Sequence, residues 1–343
     1  MKYSVISFVL FTAFFISCND KECDPVSPPI DDRVSFEINF LDYSENNYFI
    51  DKIYSDTSSE LNLFNLYYGN PIPIVQMKYY VKDIEVYLSI STSYQNSILA
   101  WAHIDLPARA SNEKYSNSYR ELIEPIPGEI ELSRYRLLHE GRDYIFHRET
   151  GYLTFLIPIQ NMDIVAAAYR IQNDSPSHID DLFYGEFFTD LINNSDSVGV
   201  LKLIKPRNLI PMYEAAWKLR LKNHYQITPF IGQVSDLDLD IYLKKGDGTE
   251  SNLINGVRLL ELFGFDKLNA DGSPGADGKF DYRPGITFRP QTSEIIFPVI
   301  QPYGYNIPEA LTEYKYQAIY DTLKSYLTMP ESSFIIKGKY KPL

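Results

Sequence analysis

Residues 141–159 read GRDYIFHRETGYLTFLIPI, and residues 285–300 read GITFRPQTSEIIFPVI. In the first stretch RETG separates two apolar runs, and Gly151 is available for the positive φ that a tight hairpin turn requires. The second stretch has the same build. Aligning Phe146 with Phe288 places Thr150 on Thr292, Leu153 on Ile295, Phe155 on Phe297 and Ile157 on Val299. Hairpins share this pattern in general, so a short match arises by chance as readily as by relationship. Taken as related, the two stretches predict two β modules of common design.

Outward from the hairpins the same period of two recurs. VSFEINF, LNLFNLYY, QMKYYVKDIEVYLSIS and SILAWAHIDL alternate apolar with polar residues, as half-buried strands do. The 28 Tyr and 20 Phe support this, because aromatic rings pack well on a pleated surface. In Asp236-Leu237-Asp238-Leu239-Asp240 the alternation puts three carboxylates on one strand face and Leu on the other, which predicts a solvated edge. One helix is expected, residues 308–328, beginning PEALTEYKYQ with Pro308 at its first position and apolar residues near a 3.6 spacing. The fold class is therefore mainly β, a β-rich α+β chain of antiparallel β modules with one C-terminal helix. Residues 34–173 form the first module and residues 195–343 the second.

A chain of 343 residues with 45% hydrophobic and 22% charged residues folds around a core rather than staying disordered. Its formal charge of −13, with no Lys/Arg cluster, excludes a phosphate-binding surface, so no nucleic-acid partner is expected. At the N-terminus Lys2 precedes an apolar run from Val5 to Ile16, too short to span a bilayer and right for a signal peptide over residues 1–17. Ser17-Cys18 resembles a lipobox, which would make Cys18 the lipidated first residue of an exported lipoprotein. The other reading is cleavage near Ser17 by an ordinary signal peptidase, leaving Cys18 and Cys23 to pair or stay free. Residues 18–33, rich in Pro and Asp, read as a flexible tether.

Chemistry is sparse. No two of the five histidines, His103, His139, His147, His178 and His224, lie within four residues of each other, and no metalloprotease, nucleophile-elbow or phosphate-loop motif occurs. Glu186 and Asp190 could serve as an acid and a base, but such a pair is unremarkable in an acidic chain. No enzyme is expected. Residues 266–281, DKLNADGSPGADGKFD, hold the one candidate cofactor site. Asn269, Asp271, Asp277 and Asp281 offer the oxygen ligands that calcium takes, although the spacing is not that of an EF-hand. The competing reading is a pair of turns, with Asp as turn former and Gly at positive φ.

The order of segments carries a resemblance. LLELFGFDKLNADGSPGADGKFDYRPGITF followed by EIIFPVI resembles a segment of the SprA (Sov) family, the outer-membrane translocon of the type IX secretion system of gliding Bacteroidetes. KDIEVYLSIS, SILAWAHIDL, GRDYIFHRETGYLTF, DIVAAAYRI, VLKLIKPRNL and FIIKGKYKPL are similar to family segments in the same order, over about residues 70–343. The family is far longer and depends on a large barrel, for which this chain has too few amphipathic strands. Members of the family are not, as a rule, lipoproteins, whereas Cys18 suggests that this chain is. Resemblance and lipobox together imply a non-enzymatic lipoprotein at the outer membrane, on its periplasmic or cell-surface face, built from the family's non-barrel modules or forming a truncated part of it. It would act by binding envelope proteins, whether type IX components or exported clients. The alternative is a surface glycan-binding lipoprotein; Trp101 and Trp217 sit in apolar contexts that suggest core instead of a sugar platform.

Overall fold

The structure is a computed structural model that describes residues 32–56, 62–91, 97–111, 113–121, 124–192, 198–232 and 234–342. The signal peptide, Cys18 and nearly all of the tether lie outside the described residues. In chain order the strands are β1 (Val34–Asn39), β2 (Asn47–Phe49), β3 (Val81–Ile90), β4 (Ile98–His103), β5 (Ile130–Leu137), β6 (Tyr144–His147), β7 (Tyr152–Phe155), β8 (Val165–Ile171) and β9 (Leu182–Tyr184). They continue with β10 (Gly199–Lys205), β11 (His224–Gln226), β12 (Val234–Lys244), β13 (Glu250–Ser251), β14 (Leu253–Ile254), β15 (Val257–Arg258), β16 (Phe288–Arg289), β17 (Glu294–Ile296) and β18 (Ser333–Pro342). The molecule is mainly β with a few short helices, as the alternation predicts.

β4, β5, β3, β8 and β10 close into a ring, because β10 pairs with β4 in parallel and with β8 antiparallel; β9 adds to the free end of β8. Closure removes exposed edges. Small side chains, Ala100, Ala102 and Ala166 to Ala168, let the strands approach, and Tyr87 and Tyr135 fill the remaining volume. A second sheet runs β1-β18-β12-β13, with β13 touching only Leu243 and Lys244 of β12.

Both predicted hairpins form, and they match in detail. His147 registers with Tyr152 and Phe146 with Leu153; Arg289 registers with Glu294 and Phe288 with Ile295. The last turn residue has positive φ in each, Gly151 at 60° and Ser293 at 54°. Each hairpin accepts the same third strand: Ile50 N–H donates to Gly151 O at 2.9 Å, and Ile227 N–H to Ser293 O at 2.8 Å. Tyr48 thus stands where Tyr225 stands in the other copy. The third strands meet back to back through the bridges Tyr43↔Tyr225 and Tyr48↔Arg220. Exchanging the two copies carries one bridge onto the other, so a local two-fold relates them.

The correspondence extends to the long strands. β3 and β12 open on the same bulge, where the register slips between Val81 and Asp83 and between Val234 and Asp236. Opposite the bulges stand Arg170 and Lys341, then Tyr169 and Tyr340. β8 has β3 on one edge and β10 on the other, whereas β18 has β12 and β1. β1 precedes β2 just as β10 precedes β11, so each copy's first strand completes the other copy's sheet. This corrects the boundaries drawn from the sequence. β1, in residues 34–173, belongs to the sheet of the second module, and β10, in residues 195–343, belongs to the ring. The apolar cores divide the same way: Phe36 to Tyr43 pack with residues 225–340, while Leu201 to Leu221 pack with the ring.

Three further expectations need correction. LNLFNLYY, read as a strand, is an α-helix over Leu63–Tyr68, its first turn capped by Asn62 Oδ1, which accepts from Asn65 N–H. Residues 308–328 are not one helix; they break into 3-10 turns at Glu309–Tyr314 and Lys324–Tyr326 and one α turn at Ala318–Asp321. Lys315 and Thr322 are extended between them. Tyr and Thr are modest helix formers, and tertiary bonds win: Tyr316 N–H donates to Tyr303 O and Tyr316 OH to Thr328 O. In the Asp-Leu run, Leu237 and Leu239 are buried and Asp236 and Asp238 exposed, as expected, but Asp240 is buried and held by Arg258 and Asn252.

Candidate functional site

Where the two copies meet, alternation points both side chains of the registered pairs His147/Tyr152 and Arg289/Glu294 into a shared interior. Arg289, almost wholly buried, donates from Nη1 to Thr154 Oγ1 (2.6 Å) and to Glu294 Oε2 (3.0 Å), and from Nη2 to the Tyr152 hydroxyl (2.6 Å). Asn47 reaches back from the first copy to Glu294 Oε1 at 3.5 Å and accepts from Thr154 at 2.6 Å. Tyr68 and Tyr152 share a hydroxyl contact at 2.7 Å. The His147 ring stacks on Tyr152 with centroids 4.0 Å apart. Burial first, then the Arg289 charge, holds the imidazoles of His147 and His224 well below the usual histidine range, so both are neutral. The Arg289 guanidinium is satisfied on both terminal nitrogens by partners inside the fold. This junction is a clamp between the copies. His147 lies inside it, its Nε2 without a hydrogen-bond partner among the described residues.

A separate cleft of about 1340 Å³ is walled by residues 52–56, by Ile104 and Lys202 on the ring side, by residues 127–129, by residues 211–222 and by residues 300–321. Its charged groups are largely engaged. Lys52 pairs with Asp105 at 3.2 Å, Lys202 with Asp51 at 2.7 Å and Lys218 with Glu214 at 2.5 Å. Lys222 is buried without a carboxylate partner among the described residues and donates to Ile319 O at 2.6 Å. Burial, aided by Arg220, lowers its pKa to about 7. Trp217 is 7% exposed; Arg220 and Lys222 lie 4.6 and 4.4 Å from its ring, and its Nε1 donates to Tyr320 O. Trp101 is buried in β4. Neither tryptophan offers a free face to a sugar.

The Asp-rich loop resolves as turns. Asp271 accepts from Ser273 N–H and hydroxyl, Asp277 from Lys279 N–H, and Gly272 and Gly278 both have φ of 81°. Asp281 accepts from the N–H groups of Lys267 and Leu268, and Asn269 donates to Ser273 Oγ. The carboxylates of Asp271, Asp277 and Asp281 thus accept from the loop's own N–H groups, and Asn269 bonds a serine hydroxyl. Among the described residues no group of three or more His, Cys, Asp or Glu is placed to hold a metal ion. Asp266 receives Asp277 and Gly278 N–H and ties the loop's ends together. Glu186 is gripped by Arg120 and accepts from Val200 N–H, while Asp190 sits exposed on a short helix, so the structure gives the pair no common pocket.

Sequence reasoning missed Arg289, Glu294 and Lys222. A signal existed for the first two: a charged pair flanking the turn RPQTSE inside an apolar hairpin must find partners or stay out of the core. For Lys222 no local signal exists, since its burial depends on residues about 100 positions away. No protein-family model and no curated protein matches the chain. Among the described residues no helix is long and apolar enough to cross a membrane.

Proposed function

We propose that this chain is a non-catalytic, SprA-like envelope lipoprotein, an accessory or truncated component of the type IX secretion and gliding machinery that acts by binding proteins. The resemblance of its ordered segments supports the machinery, and Ser17-Cys18 supports a lipid anchor at the outer membrane. One observation carries the binding mode. Among the described residues the sheet β1-β18-β12 has β1 paired on one side only and β12 nearly so, which presents strand edges to a partner. Deleting the gene should reduce secretion of type IX cargo, and Cys18→Ala should abolish incorporation of an alkyne fatty acid and release the protein from the membrane fraction. Unchanged secretion in the deletion strain overturns the machinery reading.

Glycan binding remains the alternative, resting on the solvent-exposed rings of Tyr305 and Tyr326. Lys315 already lies 4.1 Å from the Tyr305 ring centre, which weakens that ring as a stacking surface. A glycan array distinguishes the two readings.

A further inference from the structure

The two copies differ in how their three-stranded sheets end. In the first, the sheet β10-β8-β3 is closed by the hairpin β4–β5: β5 pairs antiparallel with β3, and β4 pairs in parallel with β10. In the second, the equivalent sheet is β1-β18-β12, and its segment between β12 and β16 supplies only β13, at the last two residues of β12. The β1 edge, and the β12 edge as far as Tyr242, that β4–β5 occupies in the sister copy are without a paired strand among the described residues; Leu243, the counterpart of the β5-paired Ile90, is taken by β13. A cleft of about 620 Å³ spans these same three strands, touched by Ser35 and Glu37, by Lys337 and Lys339, and by Asp238 and Tyr242.

We propose that this sheet is the docking site for a β-hairpin of a partner protein, one strand antiparallel to β12 and the other parallel to β1, completing the ring as β4–β5 does in the first copy. The inference rests on the protein-binding reading above and specifies its surface. Backbone hydrogen bonding supplies the attraction, since free edges pair with extended chain whatever its sequence. The lining selects the side chains. Where the sister sheet presents buried Ala166 and Ala168, this sheet presents Lys337 and Lys339, flanked by the acidic residues Glu37 and Asp238. Lys337 lies 2.6 Å from Glu250 and 3.4 Å from Glu37. The hairpin's inward positions are therefore polar or charged, unlike the apolar fill of the closed ring.

Photocrosslinking in cells tests this with the full chain. p-Benzoylphenylalanine replaces Ser35 on β1, Asp238 on β12, or Tyr305 on a distant surface; all three are exposed, so the fold is preserved. The expected result is that Ser35 and Asp238 capture neighbouring strands of a single hairpin from one polypeptide, mapped by mass spectrometry, with the captured band lost at Tyr305. Crosslinks from the edges to residues 19–31 of this chain, to a second copy, or to unrelated segments of different proteins overturn the proposal. A partner caught at Tyr305 but at neither edge keeps the protein-binding reading and removes the hairpin site. Capture at no position, with secretion unchanged in the deletion strain, removes both.

Discussion

Across the local two-fold, the pair His147 and Tyr152 occupies the hairpin position that Arg289 and Glu294 occupy in the other copy. The backbones agree in register, turn and third strand, yet one copy fills the position with stacked rings and the other with a buried ion pair. The buried pair is not self-sufficient. Arg289 draws Tyr152 and Thr154 from the first copy, so the charged copy depends on the neutral one for its hydrogen bonds. Two identical ion pairs facing each other would bring four charges into one low-dielectric interior, whereas an asymmetric junction buries two and surrounds them with donors and acceptors.

The sharpest test of this comparison removes one member from each copy. Arg289→Met leaves Glu294 buried without its counter-charge and should cost about 3–5 kcal/mol in urea unfolding. His147→Leu removes an imidazole whose Nε2 has no partner among the described residues and should change stability by less than about 1.5 kcal/mol. Equal costs would mean that the two copies contribute alike and the asymmetry is incidental. Next come the turn residues. A methyl on Gly151 would sit 2.3 Å from the Tyr54 ring at a φ of 60°, so Gly151→Ala should cost roughly 2–3 kcal/mol. Its counterpart Ser293→Gly relieves the strained φ but loses the hydrogen bonds from Ile231 and Gly232, for a net loss of about 1 kcal/mol. Differential melting of the two variants measures the gap.

A third contrast lies in the sheets. Gly338 occupies the position of Ala167, but a Cβ there would meet Asp238 O at 2.4 Å and the Phe36 ring at 2.6 Å. Gly338→Ala should therefore destabilise by about 1–3 kcal/mol, while the sister position carries its methyl without clash. The neutral histidines set a pH dependence. The unfolded chain protonates both near pH 6.5, while the folded chain resists until well below that value, so their contribution is complete above about pH 6.5 and is lost as pH falls through it. Each adds a slope of up to about 1.4 kcal/mol per pH unit in that window, and burial lowers His103 in the same direction; His147→Leu should remove one such share of the slope in unfolding curves between pH 6.5 and 5. The smallest effect concerns the Asp-rich loop. Asp271→Asn should cost about 0.5 kcal/mol or less, and millimolar calcium should leave Tm unchanged; a calcium-dependent rise in Tm would show that the carboxylates regroup around the ion.

Local features were legible to the extent that they are set by local chemistry. Gly151 and the two Asp-Gly turns follow from the rarity of positive φ for other residues, and the burial of Leu237 and Leu239 follows from the period of two. The helix at residues 308–328 failed because its apolar spacing is shared by any chain that buries Leu311, Ile319 and Tyr320 in turn, and the spacing says nothing about where backbone groups find partners. Asp240 failed for a related reason: its partner Arg258 lies on a separate strand.

The sequence by itself determined most of the strands, the hairpin turns and the likeness of the two hairpins, because side-chain alternation and backbone conformation depend on near neighbours; LNLFNLYY, which became a helix, is the exception. Only the tertiary structure decided that β1 and β10 exchange sheets, that Arg289 lies buried among residues of the other copy, and that one sheet closes while the other keeps its edges. Backbone hydrogen bonding is the same for any strand, so a period of two states which face is buried but not which edge a strand will join.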